Sequence, residues 1–242
     1  MEEKIEVILL DIGNSQIKSA EVIAGKIGNA RQWHTLDAVN DGYDPSIPFM
    51  ISTTRKITFE ELKGRVYCNL SHDLSLPVTL DYKTPETLGA DRIAAAVGAT
   101  VLFPNTNSLI VDVGTCMTLD FVDESNVFRG GVISPGLKMR MKAMADYTSR
   151  LPNVSEDFNG VQSDPIGKST KECLISGAYW AMIHEINGVI RYLEEDFTSI
   201  NVILSGGDTD FFESKLKAHI FAGSKIVQTG LYRIWKDQSK EF

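Results

Sequence analysis

Cysteine is scarce in this sequence of 242 residues. Its three cysteines, Cys68, Cys116 and Cys173, are odd in number and far apart, which indicates neither a disulfide framework nor a zinc site. Because chains without structural disulfides are typical of reducing compartments, we expect a cytoplasmic location.

Long hydrophobic runs and an excess of basic residues are also missing. No apolar stretch approaches the roughly 20 residues of a membrane-spanning helix, and the run after the charged residues 2–4 is too short for a secretory signal. The net charge is −8 at pH 7, whereas nucleic-acid-binding domains usually carry a basic face. We therefore expect no membrane and no nucleic-acid partner, although net charge alone leaves a local basic groove open.

Three common site motifs are absent or incomplete. There is no G-x-G-x-x-G fingerprint for a dinucleotide. "DPIGKST" (164–170) resembles the end of a P-loop, but Gln162 stands where that motif requires a glycine. Ser134 and Ser205 lack the G-x-S-x-G context of a hydrolase nucleophile. The sequence therefore lacks the best-known motifs of dinucleotide-binding, P-loop and serine-hydrolase sites.

A duplicated pattern is the strongest signal that is present. "VILLDIGNSQIKSAEV" (7–22) is an apolar strand that ends in an acidic residue and turns through small residues, and "LIVDVGTCMTLDFVDESNVFRGG" (109–131) repeats that plan. The offset is 112 − 11 = 101 residues. Three positions correspond between the copies: Asp11 with Asp112, Gly13 with Gly114, and Asn14 with Thr115. Each copy predicts two strands that pair antiparallel as a hairpin.

The turn of such a hairpin has the chemistry of a polyphosphate site. Backbone N–H groups in a turn of Gly, Ser and Thr can point at anionic oxygens. A carboxylate at the strand end can hold a hydrated Mg²⁺, and Lys18 adds a positive charge. One copy alone is more often a plain hairpin turn, but two copies a domain apart favour a pair of hairpins that bind a nucleotide from both sides.

The remaining pattern places several helices and a domain boundary. The Ala-rich segment 84–104 predicts a helix over 88–102 that ends before Pro104. The polar break at 105–108 divides the chain into an N-terminal domain, 1–105, and a C-terminal domain, 106–242. "GGVISPG" (130–136) predicts a turn where backbone approaches a ligand closely, and the helix after it carries apolar side chains as far as Leu151, as core or interface.

A long helix is predicted over 169–197. A third strand-to-glycine turn follows it, "NVILSGGDTDFF" (201–212). Ligands of α/β sheets lie outside the carboxyl ends of the strands, so an adenosine contact is favoured there over a plain strand–helix connection.

The duplicated hairpin resembles the actin/hexokinase ATPase superfamily, and the motifs together are similar to those of type III pantothenate kinases. The matching segments are "DIGNSQIK" (11–18) and "VDVGTCMTLD" (111–120) for phosphate, "YKTPETLGADR" (82–92) for pantothenate and catalysis, "GGVISPG" (130–136), "IGKST" (166–170), and "LSGGD" (204–208) for adenosine. The resemblance implies an α/β fold of duplicated ribonuclease H-like (actin-like ATPase) domains, with mixed sheets flanked by helices.

The resemblance also implies a reaction and its participants. ATP and pantothenate give ADP and 4′-phosphopantothenate, the first step of coenzyme A biosynthesis. Mg²⁺ accompanies ATP, and a monovalent cation, K⁺ or NH₄⁺, lies near the second hairpin. The enzyme is a homodimer with the substrate pocket at the subunit interface.

Carried over position by position, the resemblance implies a set of site residues. The ATP-binding residues are Asp11, Ile12, Gly13, Asn14, Ser15, Gln16, Ile17, Lys18, Thr115, Gly206 and Gly207. The substrate-binding residues are Tyr82, Gly89, Ala90, Asp91, Arg92 and Thr170. Asp91 is the catalytic base, Asp11 holds Mg²⁺ through water, and Asp112 is a ligand of the monovalent cation.

Plain structural interpretations of the substrate residues stay open at this point. Asp91 and Arg92 also fit a helix N-terminal charge followed by a surface arginine. Tyr82 also fits an aromatic core residue, and Thr170 also fits the N-cap of the long helix.

Two other functions stay open as well. One is another small-molecule kinase or phosphatase of the same superfamily, acting on a sugar, acetate or polyphosphate. The other is a non-catalytic, nucleotide-switched actin-like protein, which predicts nucleotide-dependent assembly and no phosphoryl acceptor.

Overall fold

A computed structural model describes residues 4–13, 16–53, 55–160, 164–216, 220–223 and 225–239. By its internal contacts the chain divides into two compact units. The first unit holds the residues up to 105, the segment 122–129 and the residues from 225 on; the second holds 106–121 and 130–224. The segment 122–129 and the C-terminal helix thus group with the first unit, although the sequence placed them in the second domain. The limits of independently folding domains stay a prediction.

Groups of strands are separated by helices along the chain. The strands are β1 (Ile5–Ile12), β2 (Ile17–Ile23), β3 (Lys26–Ile27), β4 (Arg31–Trp33), β5 (Phe49–Thr53), β6 (Tyr67–Asn69), β7 (Thr79–Leu80), β8 (Asn107–Val113), β9 (Cys116–Val122), β10 (Val127–Pro135), β11 (Ile200–Ser205) and β12 (Ile220–Ala222). The α-helices are α1 (Leu36–Asp41), α2 (Ala90–Leu102), α3 (Leu137–Asp146), α4 (Thr170–Glu194) and α5 (Ile226–Gln238), and short 3₁₀ turns cover Pro85–Thr87, Thr209–Phe211 and Glu213–Lys215. No helix in these described ranges combines the length and the apolar character needed to cross a membrane.

The first unit is built on a mixed sheet of order β3-β2-β1-β5-β6. β1 pairs antiparallel with β2, which confirms the first predicted hairpin, and parallel with β5. In this register Asp11 lies opposite Lys18 on one side and beside Ser52 on the other. Val7, Ile8, Leu9 and Leu10 of β1 are fully buried, as expected of a central strand that is covered on both faces.

The second unit repeats this order of strands. Its sheet runs β12-β11-β8-β9-β10, with β8 in the place of β1. β8 and β9 are joined by a two-residue turn, a connection that only antiparallel strands permit, so the second predicted hairpin is also confirmed. β11 pairs parallel with β8 and places Ser205 beside Asp112, as Ser52 lies beside Asp11. The internal duplication inferred from the sequence is therefore present in the topology and in the register.

Two glycines bring helices α2 and α5 into backbone contact within the first unit. A Cβ on Gly98 would lie 2.1 Å from the carbonyl oxygen of Ile226, and one on Gly230 would lie 1.8 Å from that of Ala94. Any larger side chain at these positions would push the helices apart. The close approach packs α5 directly against the Ala-rich helix α2.

Helix α4 supplies much of the core of the second unit. Leu174, Ala178, Met182 and Ile186 are buried, and Val189 and Leu193 pack at the margin of this core. Helix α3 buries Leu137 and Met141 but ends at Asp146. Its predicted apolar face therefore does not extend as helix to Leu151, because the Thr148 hydroxyl donates to the carbonyl of Met144 instead of continuing the helical pattern.

Candidate active site

The first hairpin ends in a tight turn at the tip of β1. The Gly13 amide donates to the carbonyl of Gln16 over 3.1 Å. Asp11 is half-buried at the strand end, opposite Lys18, so a carboxylate and an ammonium stand on the same edge of the turn. The predicted phosphate contacts Asn14 and Ser15 lie outside the described residues.

The two isoleucines of this motif pack into the core of the first unit instead of facing a ligand. Ile12 is 3% exposed and belongs to that core, and Ile17 packs against it. Any contact of these two residues with ATP would therefore come from their backbone groups.

The second hairpin has a shorter turn. The Gly114 amide donates to the carbonyl of Cys116 over 3.0 Å, which leaves Thr115 exposed at the tip. Asp112 is half-buried one residue before the end of β8. Asp112 and Thr115 thus occupy the same edge of the second sheet, and their roles toward a cation and phosphate stay a prediction.

Two glycine loops of the second unit pack directly on this hairpin. Gly206, with φ +105°, follows β11, and a Cβ on it would lie 2.5 Å from Oδ1 of Asp112. Gly136 precedes α3 and donates its amide to the carbonyl of Thr115 over 3.1 Å. The backbone of "GGVISPG", predicted to approach a ligand, here approaches the hairpin.

The loop after β11 carries a half-buried carboxylate, that of Asp208. The amide of Asp208 donates to the carbonyl of Val113 over 3.1 Å. Burial raises the pKa of Asp208, and the positive charge of Lys138 opposes that shift only in part. Gly207, between Gly206 and Asp208, is exposed, with open space around the position of a Cβ among the described atoms. An adenosine contact at this loop would therefore fall at the exposed Gly207, beside a desolvated carboxylate.

Residues 82–92, the acceptor segment predicted to bind the substrate, lead into helix α2. Gly89 caps the helix, and Oδ1 of Asp91 in its first turn accepts the Arg92 amide over 2.9 Å. A Cβ on Gly89 would lie 2.5 Å from Oδ1 of Asp91, so only glycine lets the carboxylate take this position. Ala90 is buried at 8% exposure.

Arg92 and Tyr82 contact the same aromatic ring. The guanidinium carbon of Arg92 lies 5.8 Å from the ring centroid of Phe128, and the Tyr82 ring lies 5.9 Å from it at an interplanar angle of 60°. Arg92 is 7% exposed, so its interpretation as a surface arginine is wrong. Tyr82 is half-buried and retains a face outside the core. Nothing in the sequence pattern linked Phe128 to the segment 82–92, because the contact joins distant parts of the chain.

Thr170 is the first residue of α4 and is exposed. The N-cap is Ser169, whose hydroxyl accepts the amide of Glu172 over 3.2 Å. The alternative role of Thr170 as the N-cap is therefore wrong, and its side chain stands at the open end of a long helix.

The carboxylates at the hairpins suit a metal that arrives with the nucleotide. In the described part of the chain, His, Cys, Asp and Glu form no group of three or more that could hold a metal ion. Mg²⁺ is commonly bound through one or two carboxylates, several waters and substrate phosphates. Asp11 supplies such a carboxylate at the first turn, and Asp112 supplies another at the second.

Solved structures of other proteins share this fold. A chain from Campylobacter jejuni described as a Baf-family transcriptional activator superposes with a TM-score of 0.66 at 22% identity, covering 97% of this chain and 100% of that one. A protein from Sinorhizobium meliloti described as a 2-dehydro-3-deoxygalactonokinase superposes with a TM-score of 0.59 at 13% identity, covering 96% of both chains. At these identities the likeness concerns the fold alone, a duplicated α/β arrangement of two mixed sheets flanked by helices.

Similarity in sequence to known proteins identifies the family of the chain. The profile of type III pantothenate kinases matches residues 46–192. Type III pantothenate kinases from Bacteroides fragilis and Cytophaga hutchinsonii are 44% and 39% identical over 236 and 232 residues. These alignments cover 94% of this chain and 96% and 97% of the relatives. The chain belongs to the type III pantothenate kinase family.

Proposed function

We propose that the protein transfers the γ-phosphoryl group of ATP to the primary hydroxyl of pantothenate, giving 4′-phosphopantothenate and ADP. The observation that carries the proposal is the pair Asp91 and Arg92 at the start of α2, where a carboxylate is followed by a buried guanidinium. Pantothenate offers a hydroxyl to the first and a carboxylate to the second.

The acceptor site works mainly by positioning, since phosphoryl transfer requires little covalent chemistry from the protein. Asp91 orients the attacking hydroxyl and accepts its proton, a contribution of roughly 10²–10⁴-fold. Arg92 binds the pantothenate carboxylate, in the bidentate geometry that strengthens such pairs. Tyr82 packs on the bound pantothenate, and the backbone of Gly89 and Ala90 lines the site.

The nucleotide site uses the two hairpins. Backbone amides of residues 13–16 and Lys18 bind phosphate oxygens, Thr115 donates a hydrogen bond to them, and Gly206 and Gly207 lie along the adenosine. Mg²⁺, held through water by Asp11, neutralises charge on the phosphates when bound. Asp112 is the protein ligand for K⁺ or NH₄⁺.

A homodimer completes the proposal, with Thr170 of one subunit reaching the pantothenate pocket of the other. A subunit interface that covered exposed apolar side chains of the second unit would remove them from water; Ile133 is 63% exposed, Tyr147 90% and Ile166 72%. Ile166 lies just before the helix that begins at Thr170. The cytoplasmic location stays a prediction.

A coupled assay of ADP release, with and without K⁺ and over a panel of acceptors, tests the function. We expect transfer to pantothenate to exceed transfer to hexoses and acetate. Asp91→Asn should abolish turnover while the chain remains folded and dimeric. Asp37→Asn, which changes a carboxylate in the first turn of α1, is the matched control. Preferred transfer to a sugar, or nucleotide-dependent assembly without any acceptor, would support the other superfamily functions instead.

A further inference from the structure

Phe128 is a buried residue of the first unit that contacts two of the proposed substrate-binding side chains. It is fully buried, and its ring contacts the two side chains proposed to bind the acceptor, Tyr82 and Arg92. Its carbonyl accepts the amide of Asp81 over 3.0 Å, directly before Tyr82. One residue thus contacts the acceptor segment through its ring and its backbone.

The strand that carries Phe128 is fixed by an ion-pair network. β10 pairs parallel with β7 and places Phe128 beside Leu80. Arg129 contacts Asp123 through Nε at 2.8 Å and Nη2 at 2.7 Å, and contacts Asp81 through Nη1 at 3.0 Å. Arg129 therefore links Asp123, in the turn before β10, to Asp81, the residue before Tyr82.

We propose that Phe128 is a positioning residue for the acceptor site, whose ring orients Tyr82 and Arg92, and that Arg129 holds Phe128 in place. The inference rests on the proposed function, because it assigns the Arg92 guanidinium to the substrate carboxylate. An arginine stem has many rotamers, and a guanidinium against an aromatic face gains stability when desolvated. The ring thus favours one Arg92 orientation before the substrate binds.

Replacement of the ring tests this role. In Phe128→Leu, which keeps an apolar side chain, we expect the KM for pantothenate to rise about tenfold, with the KM for ATP within twofold of the wild type. The same variant should lose most of its preference for pantothenate over pantothenyl alcohol, which lacks the carboxylate. Phe121→Leu is the matched control: Phe121 is also buried, but its ring packs on Phe197, 4.8 Å away in the second unit.

A surface variant keeps the proposal testable if the core substitution prevents folding. Arg129 has a side chain that is 48% exposed, so Arg129→Gln should fold and should raise the KM for pantothenate three- to fivefold. Arg233→Gln breaks an ion pair with Asp237 at nearly equal exposure, 47%, and should leave both KM values unchanged.

The possible results separate the inference from the function. Wild-type protein that fails to phosphorylate pantothenate would overturn both. Normal wild-type transfer would overturn the inference alone if Phe128→Leu and Arg129→Gln kept the wild-type KM for pantothenate, or raised both KM values equally.

Discussion

Gly206 lies against the carboxylate of Asp112. The carbon that any other residue would carry at position 206 would meet Oδ1 of Asp112 at 2.5 Å and the carbonyl oxygen of Val113 at 2.2 Å. The backbone at Gly206 also has a φ of +105°, which L-residues with a side chain rarely adopt. The loop after β11 and the second hairpin therefore form one packed arrangement that only glycine permits.

Gly206→Ala should disturb nucleotide binding because it displaces Asp112 and strains the loop. We expect the KM for ATP to rise at least tenfold, with a smaller effect on the KM for pantothenate. Steady-state kinetics with each substrate varied in turn would measure this. Gly177→Ala, in helix α4 where a Cβ meets open space, is the control; equal effects of the two variants would contradict the packing argument.

Asp112→Asn should weaken the response to monovalent cations. The substitution keeps the size of the side chain and removes the negative charge that favours a cation. Activity measured over a series of K⁺ concentrations should show a half-saturating K⁺ concentration at least tenfold higher. Asp210→Asn, an exposed carboxylate in the loop after β11, should keep the wild-type response, and an unchanged response in Asp112→Asn would remove Asp112 from the cation site.

Arg65 is expected to be a stability residue of the first unit. It is 4% exposed, donates to the backbone carbonyls of Asn40, Tyr43, Asp44 and Ile47, and stacks on the ring of Phe49. Arg65→Met would leave buried carbonyls without donors, and we expect a loss of about 3 kcal/mol in the free energy of unfolding. Urea denaturation would measure it.

Arg55→Met is the control for this stability measurement. The Arg55 side chain is 47% exposed and pairs with Glu61 at the surface, where such pairs contribute about 0–1 kcal/mol. A loss from Arg65→Met no larger than that from Arg55→Met would show that the buried network contributes little.

Asp123 should make the stability of the folded protein depend on pH in the acidic range. Burial raises its pKa, but hydrogen bonds from the Val127 amide, Arg129 and the Ser125 amide outweigh burial and bring the pKa below its usual value. A carboxylate with a depressed folded-state pKa stabilises the fold above its unfolded pKa of about 3.9, and that contribution is lost as the pH falls through the lower folded value.

Thermal unfolding as a function of pH would reveal this contribution. Asp123→Asn should be less stable than the wild type at pH 7, and the difference should shrink below about pH 4. Glu156→Gln, with a side chain that is 83% exposed, should show little difference at either pH. A gap between Asp123→Asn and the wild type that stayed constant down to pH 2 would contradict the assignment.

Local patterns were sufficient to predict the hairpins and the main helices. The repeated acidic residue and glycine at Asp11 and Asp112 predicted both hairpins, because strand alternation and turn residues act over neighbouring positions. The long helix was predicted over 169–197 and is observed as Thr170–Glu194, since its apolar spacing and polar start are also local signals.

Contacts between distant segments could not be predicted in this way. Arginine is mostly exposed in proteins, so the burial of Arg92 depends on Phe128, which no local pattern connects to it. The grouping of the segment 122–129 with the first unit likewise depends on tertiary packing.

The packing of helix α5 on helix α2 has a consequence for the folding of the chain during its synthesis. Strands β1 and β5 and helix α2 are made early, but α5, which packs on all three, is made only after residues 130–224 of the second unit. Domains generally fold as units during synthesis, starting from the N-terminus. Here the N-terminal unit remains without one of its covering helices until the second unit has been synthesised, so its exposed apolar face needs protection throughout that time.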